Sequence, residues 1–420
     1  MSDLSIHALG PQGDGIHNAD RGAIYVDRAL PGDVVQAKVQ RGSGGVLRGE
    51  ILRVVTPSPH RVAAPCPNFN VCGGCTLQHV DTAFYRDWKI GIVCDALARE
   101  DVLPEVWHDP VFVPPATRRR VTFAAYKKGR RVTLGYFRRR THMVTDIATC
   151  LVADPAIMDL RAKLSLALVP LLQDGKTTDV FLQSVRGQTE MVITGPIGKK
   201  GTADLQVYEV VAELAQALKL ARISWRARDR DEPEVMLEVN PLRARFGALD
   251  VNLPPLAFLQ PTQAGEDALA AAVMAPLPKK GTFADLFCGS GTFSGPMLDR
   301  GTVDAFDNGA AAIRALEKSR GPRPLHPKQR DLFKDPLYPE ELKRYDAVVF
   351  DPPRAGADAQ AMQLAASEVP LIVGVSCDPR TFARDARILT TGGYTLESAQ
   401  VIDQFTWSHH VELAAIFRRR

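Results

Sequence analysis

The stretch "FADLFCGSGTFS" (Phe283 to Ser294) predicts the fold of the C-terminal half of the chain. It predicts an apolar strand that carries an acid, Asp285, followed by a glycine-rich turn and then a helix. Glycines at 289 and 291 allow the backbone to approach a ligand closely. The spacing is D-x-F-x-G-x-G and not the dinucleotide fingerprint G-x-G-x-x-G, so a purely structural turn is the alternative.

Alternating strands and helices follow this stretch. Asp307 closes the next strand 22 residues beyond Asp285, and the segment "DAVVFDPPRAG" ends a third strand with Asp351 and a stiff double proline. The predicted strands span 282–287, 303–307, 345–350 and 371–376, with helices after 291 and over 310–318. This order predicts a doubly wound sheet whose ligand site lies at the carboxyl ends of the strands. Three acids at that edge indicate a nucleoside cofactor.

A cysteine and a carboxyl complete the chemistry of this edge. In "VGVSCDPRTFARD", Cys377 follows a strand, and the nearby Arg380 and Arg384 are expected to favour its thiolate. An inert buried cysteine is the alternative. In "TWSHHVELAAIF", Glu412 enters an apolar strand, where a lone carboxylate needs a partner or a raised pKa. Together they are a candidate nucleophile and base.

The chain resembles the class I RNA 5-methyluridine methyltransferases along essentially its whole length. Five motifs occur in that family's order, and their joint occurrence is far more specific than any one of them. The motifs are "FLQPT" (258–262), "DLFCGSG" (285–291), "DPPRAG" (351–356), "SCDPRTFARD" (376–385) and "HHVE" (409–412).

The resemblance implies a reaction and a set of site residues. The thiolate of Cys377 would attack carbon 6 of uracil, carbon 5 would take a methyl group from S-adenosylmethionine, and Glu412 would remove the remaining proton at carbon 5. The implied cofactor and base pocket comprises Gln260, Phe287, Thr292, Asp307, Asp331 and Asp351. This sequence departs from the family at Thr292, Asp307 and Asp331, where Asn, Glu and Asn are common.

Three cysteines in "CPNFNVCGGCTLQH", Cys66, Cys72 and Cys75, have the C-x5-C-x2-C spacing of metal ligands. Three thiolates need a fourth ligand, and Cys150 matches the remote cysteine of iron-sulfur members of the family. Cys94 competes for this role but falls on a predicted amphipathic helix. A 4Fe-4S cluster is implied by the resemblance, whereas spacing alone also allows zinc.

The first sixty residues predict a small β-barrel, because short alternating strands are separated by glycine turns. The segment "DGIHNADRGAIYVDRALPGDVV" resembles the TRAM domain, an OB-like RNA-binding barrel. The predicted architecture is a multi-domain α/β protein. Its parts are a TRAM-like barrel (1–60), a central α+β domain with the cysteine cluster and a basic hairpin (61–250), and a Rossmann-like class I methyltransferase domain (251–420).

A strongly basic segment, 118–140, carries ten Lys and Arg residues and no acid, so the rest of the chain is net −6 although the whole is +4. Phe and Tyr residues alternate with these charges in a predicted hairpin that turns at Lys128 and Gly129. Cations beside aromatic rings suit phosphates and unstacked bases, which favours RNA as the partner. A solvated hairpin on an otherwise acidic protein is the alternative.

Length and composition exclude several classes of protein. The chain has 420 residues, 45% of them hydrophobic and 24% charged, which is typical of a folded protein of two or three domains. The apolar runs are too short to span a bilayer, the polar start has no signal peptide, and seven cysteines are too few for a disulfide scaffold. We therefore expect a cytoplasmic protein with no membrane partner and no obligate protein partner, acting as a monomer.

The preferred substrate is 23S ribosomal RNA, because the cysteine motif resembles the ribosomal enzymes of the family more closely. The same chemistry on the tRNA T-loop uridine is the first alternative. A methyltransferase for amino groups on adenine or guanine would leave Cys377 and Glu412 without a role. A non-catalytic RNA-binding iron-sulfur protein is the remaining alternative.

Overall fold

The structure is a computed structural model that describes residues 3–20 and 22–420. The chain begins with a curled sheet in the order β1-β5-β6-β4-β3-β2. Its edge strands, β1 and β2, are separated only by Ile6 and His7. The amides of these two residues donate to the carbonyls of Asp33 and Ile16, so the sheet curls back on its own first segment. The strands are β1 (Asp3–Ser5), β2 (Ala8–Leu9), β3 (Gly15–Ala19), β4 (Gly22–Val26), β5 (Val34–Arg41) and β6 (Leu47–Thr56).

Next come helix α1 (Thr82–Arg99) and two short strands, β7 (Val106–Trp107) and β8 (Val111–Phe112). The Asp81 side chain caps α1 by accepting from the Phe84 amide at 2.9 Å. The apolar face of α1, including Val93 and Leu97, is buried in the core of the C-terminal sheet, and β7 and β8 pair with that sheet. This segment therefore packs with the C-terminal part of the chain.

The central sheet has the order β11-β10-β9-β12-β13-β14-β15, and helices α2 and α3 pack their apolar side chains against it. The basic hairpin is confirmed: Lys128 pairs with Arg131 across its turn. The elements are β9 (Arg120–Lys128), β10 (Arg131–Phe137), β11 (Val144–Asp146), α2 (Pro155–Ala167), β12 (Thr177–Val185), β13 (Gln188–Thr194), α3 (Leu205–Leu218), β14 (Arg222–Arg226) and β15 (Glu234–Glu238).

The C-terminal part begins with the hairpin of β16 (Arg243–Phe246) and β17 (Leu249–Asn252) and then helix α4 (Gln263–Met274), and continues as alternating strands and helices. These are β18 (Gly281–Leu286), α5 (Ser294–Met297), β19 (Gly301–Asp307), α6 (Ala310–Ser319), β20 (Leu325–Gln329), α7 (Pro339–Leu342), β21 (Ala347–Phe350), α8 (Asp358–Ala365), β22 (Leu371–Ser376), α9 (Pro379–Thr391), β23 (Tyr394–Asp403) and β24 (Glu412–Arg419).

The last sheet runs β20-β19-β18-β21-β22-β24-β23, with β7 and β8 beyond β23. Strands β18 to β22 are parallel, whereas β24 is antiparallel to both neighbours. The predicted doubly wound α/β sheet is thus confirmed, with an antiparallel final hairpin. The strand order reverses at β18, between β19 and β21, which is where such a sheet opens a cleft at its carboxyl ends.

No helix formed by residues 3–20 and 22–420 combines the length and apolarity needed to cross a bilayer. The three predicted domains, and their boundaries near 60 and 250, stay predictions.

Candidate active site

A cavity of about 930 Å³ opens at the carboxyl edge of the last sheet. It extends from the glycine turn after β18 to the cysteine-rich loop and the edge of the central sheet. It brings together predicted site residues from distant segments, namely Cys66, Cys72, Cys75, Cys150, Gln260, Phe287, Thr292, Asp307, Asp351, Cys377 and Glu412.

Asp331 is the predicted pocket residue that does not line this cavity in the described chain. Its carboxylate accepts a hydrogen bond from the Phe333 amide at 3.2 Å and pairs with Lys334 at 3.2 Å. Its neighbours Arg330, Leu332 and Phe333 line the cavity instead.

The turn after β18 has a backbone that few residues adopt. Phe287 has φ = +62°, and Gly289 and Gly291 have φ = +51° and +92°. A Cβ on Gly291 would lie 2.7 Å from a methyl carbon of Leu316, so this position needs glycine. The Asp307 carboxylate holds the turn by accepting from the Gly289 amide at 3.0 Å. The sequence therefore builds a narrow turn with an acid at the end of the neighbouring strand.

Asp285 lies beneath this turn and is fully buried. Its Oδ2 accepts from the Ser294 hydroxyl at 2.5 Å. Burial raises its pKa to about 7, despite the opposing hydrogen bond. Asp285 consequently ties the start of α5 to β18 from below the cavity.

Two further carboxyl groups interact where β21 ends and β24 begins: Glu412 is buried and Asp351 is half-buried. Burial raises the pKa of Asp351 to about 7 and that of Glu412 well above its usual range. The charge of Asp351 raises the pKa of Glu412 further, whereas a hydrogen bond from Gln404 lowers it. Two neighbouring carboxyls in a site with little water favour states that hold at least one proton between them.

Cys377 follows β22 and precedes Asp378, whose side chain caps α9 through the amides of Arg380 and Thr381. Burial, followed by the charges of Glu412 and Asp351, raises the pKa of the Cys377 thiol to about 12. The expectation that Arg380 and Arg384 favour a thiolate is wrong, because these side chains pair with Asp378 and Asp385.

The cation that does oppose this increase is Arg354, from the loop after β21. Its guanidinium also donates to the ring of His410, 3.1 Å from Nε2. Burial, aided by His409 and Arg354, lowers the pKa of His410 to about 3, so this ring is neutral. Cys377 is therefore a protonated thiol beside two carboxyls and one arginine, and a thiol in this state is a weak nucleophile.

The four predicted ligand cysteines line one side of the cavity. The Asn68 side chain donates to the Thr149 carbonyl at 3.0 Å and holds the segment of Cys150 beside the loop of residues 66–75. Burial raises the pKa of Cys75 to about 12, and the other three cysteines raise it further. Cys94 lies on α1, away from this group. Among the described residues, no three His, Cys, Asp or Glu side chains are arranged to hold a metal ion.

The basic hairpin is only partly available to a polyanion. Arg119 is buried and bonds to Glu266 at 2.5 Å, and Arg139 bonds to Asp27 at 2.6 Å. Arg120 lies over the ring of Phe258, 4.7 Å from its centre, and lines the cavity. The exposed cations of the segment are Lys128, Arg130, Arg131, Arg138 and Arg140.

Sequence reasoning missed the buried network that holds the loop between β23 and β24. Lys89 is fully buried and donates to Asp403 at 2.9 Å and to the His410 carbonyl. The amides of Thr76 and Leu77, next to Cys75, both donate to the Trp407 carbonyl. A lysine on the apolar face of a predicted helix was a signal, but its partner is more than three hundred residues away.

Comparison with known proteins agrees with this arrangement. A family profile described as tRNA (Uracil-5-)-methyltransferase matches residues 334–420. The chain is 38% identical to an RNA methyltransferase of Brucella suis biovar 1 (strain 1330), over 99% of this chain and 97% of that protein. It is 30% identical to the 23S rRNA (uracil(1939)-C(5))-methyltransferase of Halomonas elongata, over 98% of this chain and 88% of that protein.

The fold agrees over its full length with the crystal structure of the Pyrococcus abyssi tRNA (uracil-54, C5)-methyltransferase in complex with S-adenosyl-L-homocysteine. The TM-score is 0.77 at 21% identity, and 99% of each chain is covered. Fold and relatives define an RNA methyltransferase. Within that class, the chain belongs to the RNA (uracil-5-)-methyltransferase family.

Proposed function

We propose that this protein transfers a methyl group from S-adenosylmethionine to carbon 5 of a uridine in 23S rRNA through a covalent Cys377–uracil adduct. The observation that carries the proposal is that Cys377 and Glu412 share one cavity with the glycine turn after β18. Neither an amino-group methyltransferase nor a binding protein has a use for a thiol and a buried carboxyl in that position.

S-adenosylmethionine would supply the electrophilic methyl group. The turn of residues 287–291 brings backbone close to the cavity, and Asp307 places a carboxylate at the end of β19, where it suits a ribose diol. Gln260, Thr292 and Asp351 also line this space and are proposed to contact the cofactor or the base.

Cys377 needs to lose its proton, and the neighbouring carboxylates of Asp351 and Glu412 are the groups that can take it. As the sulfur bonds to carbon 6, the electrons of the 5,6 double bond move onto the carbonyl at carbon 4. Carbon 5 then bonds to the methyl group as the bond from that group to the sulfonium sulfur breaks, so S-adenosylhomocysteine is the leaving group. The proton taken from the thiol passes to solvent, so Glu412 is a carboxylate when it takes the proton from carbon 5. The double bond then re-forms, and the carbon–sulfur bond breaks to return the Cys377 thiolate.

The RNA would reach this cavity unstacked, because carbon 6 is shielded within a helix. The exposed cations Lys128, Arg130, Arg131, Arg138 and Arg140 offer contacts to phosphates. We assign the curled N-terminal sheet to a TRAM-like barrel. We propose three domains, residues 1–60, 61–250 and 251–420, and residues 82–112 of the second pack on the third. A monomer acting in the cytoplasm fits this role.

The cysteine group would hold a 4Fe-4S cluster through Cys66, Cys72, Cys75 and Cys150. The chemistry of the donors suits such a cluster, because four thiols line the cavity and the charges of Cys66, Cys72 and Cys150 act on Cys75. In the described chain they do not stand together in a metal-binding arrangement. Protonated thiols must lose their protons to ligate, so metal binding would release protons. Zinc is the alternative occupant.

The deciding experiment measures methyl transfer from labelled S-adenosylmethionine to unmodified 23S rRNA and tRNA transcripts in separate reactions. We expect label in 5-methyluridine from 23S rRNA, lost in Cys377→Ala and retained in the control Cys94→Ala. Label in tRNA only would show that tRNA and not 23S rRNA is the substrate, which is the T-loop alternative. The Pyrococcus tRNA enzyme, a relative in fold, also favours that alternative. Label in another nucleoside would contradict the mechanism.

Iron, sulfide and zinc analysis after anaerobic purification tests the cluster independently of activity. We expect iron and sulfide in the native protein, reduced in Cys150→Ser but not in Cys94→Ser. Stoichiometric zinc without sulfide would contradict the cluster.

A further inference from the structure

Gln404 connects two residues of the site without lining the cavity itself in the described chain. It follows β23, and only 2% of its surface is exposed. Its Nε2 donates to Gln260 Oε1 at 2.6 Å and to Glu412 Oε1 at 3.3 Å. A primary amide carries two hydrogens, and here each serves one of these residues.

The first bond determines what Gln260 can offer a ligand. Its side-chain oxygen accepts from Gln404, and its backbone carbonyl accepts from Arg119 Nε at 3.0 Å. The group of Gln260 left for the cavity is its NH2, a donor. This donor can hydrogen-bond to the carbonyl oxygen at carbon 4 of uracil. Cytosine carries an amino group there, which is itself a donor and cannot accept the bond.

The second bond acts on Glu412. Gln404 occupies Oε1 as a donor and leaves Oε2 to take a proton. A donor at this distance stabilises the carboxylate against burial and against the charge of Asp351. The charged or titratable groups that face Glu412 are Asp351, Arg354 and Cys377.

The surrounding backbone is shaped to admit the Gln404 side chain. A Cβ on Gly265, in the first turn of α4, would lie 2.3 Å from Gln404 Oε1 and 2.7 Å from its Cβ. Glycine at this position therefore leaves space that the glutamine fills. Since α4 begins just after Gln260, the same turn fixes both partners of the hydrogen bond.

We propose that Gln404 is a positioning residue that orients the Gln260 amide for uracil and holds Glu412 as the base. The proposal rests on the proposed uracil-5 methyl transfer. It assigns substrate discrimination and base orientation to one buried side chain.

The test compares Gln404→Met, which keeps the size but removes the donor, with Gln400→Met. Gln400 lies on β23, four residues before Gln404, and its side chain bonds to the Asp109 carbonyl outside the site. Steady-state kinetics are measured from pH 5 to 9 with transcripts that carry uridine or cytidine at the target position. Circular dichroism checks folding.

We expect Gln404→Met to lower kcat about 10- to 100-fold with little change in KM for S-adenosylmethionine, since a displaced base mainly affects turnover. The acid limb of the kcat profile moves to higher pH, because Glu412 loses a donor, and the preference for uridine over cytidine falls. Gln400→Met keeps wild-type values. Gln404→Glu adds a third carboxyl and should move the acid limb further.

Wild-type kcat, acid limb and base preference in folded Gln404→Met would overturn the assignment. If that variant does not fold, Gln404→Glu decides in the same way. A wild-type protein that methylates no uridine contradicts the proposed function itself, which is a separate outcome from loss of the Gln404 effect.

Discussion

Replacing Lys89 by methionine tests whether the buried network behind the active site stabilises the protein. The Lys89 and Asp403 side chains are 0% and 2% exposed, and their charged atoms are 2.9 Å apart. Methionine keeps most of the volume but leaves a buried carboxylate without its cation, which typically costs about 3–5 kcal/mol. Asp403 retains the Tyr85 hydroxyl and the Phe405 amide as donors, so we expect a loss near the lower value, about 3 kcal/mol.

The measurement is urea unfolding followed by tryptophan fluorescence, with Arg418→Met as the control. Arg418 pairs with Glu397 at the surface, where the two side chains are 50% and 40% exposed, so its loss should stay below about 1 kcal/mol. Lys89→Met with Asp403→Asn should recover part of the loss, because the unpaired charge is gone while an acceptor remains for Tyr85 and Phe405. A destabilisation by Lys89→Met no larger than that of the surface control would refute this reasoning.

Three further predictions concern the reaction. Glu412→Gln should lower turnover at least about 100-fold and leave a Cys377-linked RNA adduct that is visible on denaturing gels, because no base removes the proton from carbon 5; absence of the adduct contradicts this order of steps. Lowering the pH from 8 to 6 should reduce kcat, since burial raises the pKa of Asp351 to about 7 and that of Glu412 well above its usual range, and protonation removes the base; a flat profile argues against this assignment. Gly291→Ala should raise KM for S-adenosylmethionine about tenfold, because alanine is strained at φ = +92° and its Cβ would contact Leu316, which displaces the turn. An unchanged KM would show that the turn does not bind the cofactor.

Local pattern predicted the parallel sheet well, because each strand is a short apolar run between turn residues. Strand β22 matches its predicted range, 371–376, from end to end. Tyr345 was placed in a strand but precedes β21, and its hydroxyl donates to Asp304 instead. The predicted helix after Gly291 is a single turn, α5. Element type was readable from the sequence, whereas boundaries depended on tertiary contacts.

That the candidate site residues lie close together was predictable where their motifs meet at one sheet edge. The electrostatic surroundings were not, since charges near in sequence need not be near in space. Arg380 and Arg384 pair with acids beside them in the sequence, Asp378 and Asp385, whereas Arg354, from the loop after β21, affects Cys377. Bonds across more than a hundred residues, such as that from Gln404 to Gln260, carry no local pattern.

The attachment of α1 to the C-terminal sheet has a consequence for dissecting the chain. A fragment starting at residue 251 would contain the five family motifs but lack Lys89, which bonds to Asp403 and to the His410 carbonyl. It would also lack Thr76 and Leu77, whose amides bond to Trp407, and would expose the apolar surface that Val93 and Leu97 cover. The support of the last sheet is therefore discontinuous in sequence, and a cut at that point removes contacts of the loop that precedes Glu412.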